Sequence, residues 1–113
     1  VDKLVSIFIA ERLVGFFGMR VTEALLSGAE PGPEGSLGKL SGTRLSKESA
    51  ALALELVGPP SLAWDPSDAA GATWSDVAVS TPGLSIAGGS DEIMRNILGE
   101  RVLGLPREPK PNQ

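Results

Sequence analysis

The stretch SIAGGSDEIMRNILGERVLGLPRE, residues 85–108, decides how the rest of the chain is read. Its apolar residues Ile93, Met94, Ile97, Leu98 and Val102 recur at helical spacing, with Gly88 and Gly89 ahead of them and Gly104 and Pro106 as a stop. This predicts a helix over residues 90–103, entered through a glycine turn and capped by the Ser90 hydroxyl, with Asp91 and Glu92 in its first turn. The first amides of such a helix lack partners and carry roughly +0.5 charge, so the turn is suited to an anion. By itself it is also an ordinary capped helix entry, and short glycine motifs are weak evidence of a ligand.

Upstream the same periodicity predicts two further helices. Leu4, Val5, Phe8, Ile9, Leu13, Phe16, Phe17, Leu25 and Leu26 place one over residues 2–27, with Gly28 as its stop. Apolar groups cover well over half of its circumference, so it needs neighbours on more than one side. The second runs over residues 33–57, with Pro33 in its first turn and Leu37, Leu40, Leu45, Leu52 and Leu56 on its apolar side. Gly35, Gly38 and Gly42 each cost roughly 1 kcal/mol against alanine in a helix, which predicts the close approach of another backbone. Residues 58–73 read as a loop by their Gly and Pro content, and residues 74–80 as one or two helical turns. Trp64 and Trp74 read as loop anchors. The fold class is therefore all-α: three long helices of an up-down bundle in residues 1–105, completed by self-association, with a flexible tail over 106–113.

Composition removes whole classes of function. Ten basic and fourteen acidic residues give a net charge of -4 with no basic stripe, which argues against a nucleic-acid partner. The absence of cysteine and histidine excludes thiol chemistry, His-based triads and ordinary zinc sites, so no metal site is expected. Charge-free runs near the amino end fall far short of the roughly 20 residues that cross a bilayer. Residues 1–10 carry Asp2 and no cleavage site, so they do not read as a signal peptide, and a cytoplasmic location is expected.

The chain resembles the carboxy-terminal domain of the FAD-dependent acyl-CoA dehydrogenases. The likeness lies in Ile86, Gly88, Gly89, Ser90, Glu92, Ile93, Arg95, Asn96, Ile97 and the ERVLGLP run 100–106, which follow the family's I-x-G-G-T-x-E-I-x-R-N-I-I-x-E-R-V-L-G-L-P. It continues upstream in PGPEGSLGKL, residues 31–40, with the Ser36 and Lys39 pair, and in ALELVGP, residues 53–59. The resemblance implies part of a helical bundle from a larger enzyme whose amino-terminal helical domain, β-domain and flavin-contacting first helix of this domain lie outside the sequence.

It also implies the chemistry. In such enzymes a carboxylate removes the α-proton of an acyl-CoA thioester while a hydride passes to FAD, and in many members the base precedes the Gly-Thr pair. The matching residue is Gly88, which accepts no proton, so the chain carries no catalytic residue and is expected to be inactive alone. The base then belongs to an upstream helix or to a partner in a homo-oligomeric or heteromeric assembly. Glu11 is a surface or interhelical pairing residue with Arg12, and Asp91 and Glu92 are held ionised by the helix start. The cofactor-binding residues that the resemblance assigns are Gly88, Gly89, Ser90 and Glu92 at the turn, and Glu55 and Gly58 toward a neighbouring subunit's adenosine. Glu55 is equally an exposed helix acid. The alternative for the whole chain is a non-catalytic oligomerisation module.

Overall fold

The computed structural model describes residues 2–30, 32–62, 65, 67–107 and 109. They form four α-helices, α1 (Asp2–Leu26), α2 (Glu34–Val57), α3 (Ala69–Ser80) and α4 (Asp91–Arg101), with 3-10 turns at Pro59–Leu62 and Thr81–Ser85. No strand occurs among the described residues, and the fold is all-α.

Glycines end the two long helices, Gly28 as the sequence predicts. Gly28 has φ 89°, its amide donates to the Leu25 carbonyl and the Ala29 amide donates to that of Ala24, the paired bonds of a Schellman stop. Gly58, with φ 74°, closes α2 by donating to the Leu54 carbonyl. Pro33, at φ −65°, sets the entry to α2 without a side-chain cap.

The helix α2 is the hub, touching the other three helices and both 3-10 turns. Helix α1 lies antiparallel on it, with Lys3 paired to Glu55 at 2.5 Å and Phe17 against Gly38. Packing is tightest where side chains are small. Ser36, Thr43 and Ala50, seven residues apart on α2, are buried, and Ala50 is the one buried apolar residue among those described. The leucines assigned to the core do not all reach it: Leu37 and Leu56 are exposed, and α1 buries no residue fully. Helix α1 is apolar on several sides but packs mainly on α2, so much of its surface stays open. The chain exposes 8356 Å², against about 5,900 Å² for a folded monomer of this mass.

The described residues of the segment read as a loop include the start of a helix. Asp65 accepts from the Ser67 amide and hydroxyl, Asp68 then caps α3 by accepting from the Gly71 amide at 3.1 Å, and the helix starts at Ala69. Ser75 on α3 donates to the Ser61 carbonyl, tying the first 3-10 turn to the helix. Trp74 therefore sits within α3, while Trp64 lies outside the described residues.

Two finer expectations change. Of the three α2 glycines only Gly38 faces a close neighbour, a Phe17 side chain and not a backbone; Gly35 and Gly42 face open space. Arg12 stacks over the Phe8 ring at 5.0 Å, and no pairing with Glu11 is seen among the described residues. Of the tail, Arg107 folds back to Glu100 at 3.2 Å, and residues 108 and 110–113 lie outside the described set.

Candidate functional site

The turn before α4 is built on left-handed backbone. Gly88 and Gly89 have φ 68° and 107°, after which Ser90 returns to an extended conformation and accepts from the Ile93 amide at 3.3 Å. A Cβ at position 88 would meet no atom within 4 Å, so the turn is open around that carbon. At position 89 a Cβ would stand 2.6 Å from Met94 Cε. The helix start that follows is the anion-suited edge that the sequence predicts.

One stripe of α2 holds this turn in place. Lys39 Nζ lies 2.7 Å from Asp91 Oδ1 and donates to the Ser85 carbonyl at 3.4 Å. Two turns along, Lys47 donates to the Ser85 hydroxyl and stands 3.9 Å from Asp91 Oδ2. Between them the buried Thr43 donates to the Leu84 carbonyl at 3.5 Å. The hydrogen bond from Lys39 pulls the Asp91 carboxyl below its usual range, helped by Ser85 and the charges of Lys39 and Lys47 and opposed by burial. Glu92 is also lowered, first by its own backbone amide and then by the Ser90 hydroxyl, with Arg95 3.8 Å away. Both acids are ionised at neutral pH, which makes them poor proton acceptors.

Glu55 and Gly58 lie elsewhere. They occupy the carboxy-terminal end of α2, where Glu55 stands 8 residues, about 12 Å of helix, beyond Lys47 and 16 residues, about 24 Å, beyond Lys39. Glu55 is exposed and paired with Lys3, and Gly58 faces open space at φ 74°. The six residues assigned from the sequence therefore form two separate groups on one chain. No cluster of metal-binding side chains occurs among the described residues, and no described helix is long and apolar enough to cross a membrane.

The spacing of the turn and its glycines was legible in the sequence, whereas the lysine stripe that braces it was not. Lys39, Thr43 and Lys47 follow an i, i+4, i+8 pattern, but nothing in the sequence says which face of α2 meets residues 84–91.

The family described as "Acyl-CoA dehydrogenase, C-terminal domain" matches residues 2–103, and thus both groups and the stripe. The chain belongs to this family. It is 37% identical over 81 residues to the acyl-CoA dehydrogenase IpdE1 of Mycobacterium tuberculosis, covering 72% of this chain and 20% of that protein. To the acyl-CoA dehydrogenase FadE34 of the same organism it is 28% identical over 109 residues, 94% of the chain and 14% of the relative. The IpdE1 of Mycolicibacterium smegmatis is 33% identical over 109 residues, 96% of the chain and 27% of the relative. The chain thus spans between 14% and 27% of the length of these relatives. No solved structure gives a significant match.

Proposed function

We propose that the chain is the carboxy-terminal helical part of an FAD-dependent acyl-CoA dehydrogenase, to which it contributes cofactor contacts and no catalytic base. The observation that carries this reading is the open turn at Gly88, after which Asp91, the first acid of α4, is already paired with Lys39. That pairing offsets the negative charge of Asp91 beside the helix start, and with the Ile93 amide held by the Ser90 hydroxyl and the Glu92 amide by its own carboxylate, an anionic group would meet the amides of the glycine turn. Gly88, Gly89 and Ser90 would hold the phosphate side of the cofactor, and Glu92 would accept from ribose or adenine donors. Glu55 and Gly58, beyond Lys47 at the carboxy-terminal end of α2, would serve a cofactor bound mainly by a neighbouring subunit. When bound, FAD supplies the acceptor for the β-hydride of an acyl-CoA thioester.

The residues here orient and bind, and the base comes from another helix or subunit. On its own the chain neither retains FAD tightly nor oxidises acyl-CoA. The test is to purify the full-length natural protein, measure its flavin absorbance and follow bleaching by acyl-CoA, with Ser90→Ala as the site variant. Loss of one hydrogen bond to a charged ligand should weaken FAD retention by roughly tenfold. Full-length protein that binds no flavin overturns the proposal.

A second reading concerns assembly, and the exposed apolar surface supports it. Leu4, Phe8, Leu13 and Phe16 on α1 are each more than half exposed, and a groove of about 550 Å³ between α1 and α2 is lined largely by apolar groups such as Ile9, Leu13, Phe17 and Leu37. The chain's 8356 Å² exceeds the surface of a folded monomer of this mass by about 2,500 Å², against the roughly 800 Å² that each partner gives to a typical stable interface. The chain therefore works as a subunit of a homo-oligomeric or heteromeric dehydrogenase.

A further inference from the structure

We propose that Lys39, with Thr43 and Lys47, clamps the neck of the glycine turn, and that Lys39 is the positioning residue that aims the first amides of α4. The three side chains form one line along α2, about 12 Å long. All their partners flank the turn: Leu84 and Ser85 stand just before residues 86–90, and Asp91 just after. The Lys39 ammonium hydrogen-bonds both sides, the Ser85 carbonyl and the Asp91 carboxylate, while Lys47 hydrogen-bonds Ser85 and stands 3.9 Å from Asp91. The two strands of the neck are thereby pinned to the same helix.

The turn needs such a brace. Two successive glycines at positive φ give residues 86–90 little conformational preference of their own, and α4 has no fully buried side chain to fix its start by packing. The ion pair also differs from the others in the chain. Lys39 and Asp91 side chains are 21% and 14% exposed, whereas each remaining pair among the described residues has at least one partner more than 40% exposed. Water and salt screen a sheltered pair less, so this contact holds geometry where the surface pairs contribute little. The pair binds no ligand itself; it decides where the amides of residues 91–93 point.

The functional part of this inference rests on the flavin reading of the turn, and the test separates the two. Hydrogen exchange of the backbone amides is measured in the full-length protein for Lys39→Met, Lys39→Arg and Asp91→Asn, alongside FAD retention. In Lys39→Met and Asp91→Asn the hydrogen-bonded amides on either side of the turn, those of Ile86, Ala87, Ile93 and Met94, should exchange roughly tenfold faster or more, those of α3 should be unchanged, and Lys39→Arg should restore most of the protection. If Lys39→Met does not fold, the nearly isosteric Asp91→Asn reads the same contact. Unchanged exchange in the turn overturns the clamp, even where FAD retention falls. A loosened turn with undiminished FAD retention supports the clamp and overturns the flavin reading.

Discussion

Phe17 on α1 lies so close to Gly38 on α2 that a Cβ at position 38 would stand 3.0 Å from Phe17 Cε1. Four residues on, Gly42 has no atom within 4 Å of the same position. Alanine in place of a mid-helix glycine stabilises by roughly 1 kcal/mol, so Gly42→Ala should raise the unfolding free energy by about that amount. Gly38→Ala should gain less, because the Phe17 ring must shift by a few tenths of an ångström. Urea unfolding of both variants checks this. A loss of stability at Gly42 would show that another chain occupies that face in solution.

The uncovered face of α1 makes a separate demand. Leu13 is 63% exposed, so Leu13→Glu removes little packing within one chain but places a charge in the face available for association. Light scattering at tens of micromolar should show oligomers for the chain and a clear shift toward monomer for Leu13→Glu. A monodisperse monomer before substitution would count against the assembly reading.

Acid should weaken the α2–α4 junction. Because Asp91 titrates lower in the folded chain than in the unfolded one, unfolding takes up a proton in the acid range. Its contribution is therefore complete above the ordinary carboxylate pKa of about 4 and disappears as pH falls through the depressed folded value. Lys39→Met should flatten this part of the pH profile and lower stability at neutral pH. Equal acid sensitivity in the variant and the parent would mean that other carboxylates carry it.

How much of this was legible follows from what each signal depends on. The stops at Gly28 and Gly58 and the cap at Ser90 are local, so a few neighbouring residues suffice to find them. The cap at Asp68 is equally local, but Gly58, Pro59, Pro60 and Pro66 drew the whole segment toward a loop and hid the helix-forming Ala69–Thr73 run. Burial of Ser36, Thr43 and Ala50 in place of the leucines is not local at all. It depends on which faces other helices cover, and on α1 much of the apolar surface is left uncovered among the described residues. The clamp was hidden for the same reason, since pairing Lys39 with Asp91 joins residues 52 apart in sequence.

Position 88 offers the sharpest test of the proposed division of labour. With φ 68°, Gly88 occupies left-handed backbone, where an ordinary L-residue costs roughly 1–2 kcal/mol and asparagine costs less. The space beside it is open, so Gly88→Glu and Gly88→Gln should fold with about that penalty, and Gly88→Asn with a smaller one. If the base resides on another helix or subunit, neither larger variant should exceed the parent in acyl-CoA-dependent flavin bleaching by the assembled full-length protein. A rate gain confined to Gly88→Glu would be a different result. Glutamine has the same shape and the same backbone strain, so only a proton acceptor could account for the difference. The turn would then face the acyl chain of the substrate, and the natural assembly would lack the base that the proposal assigns to it.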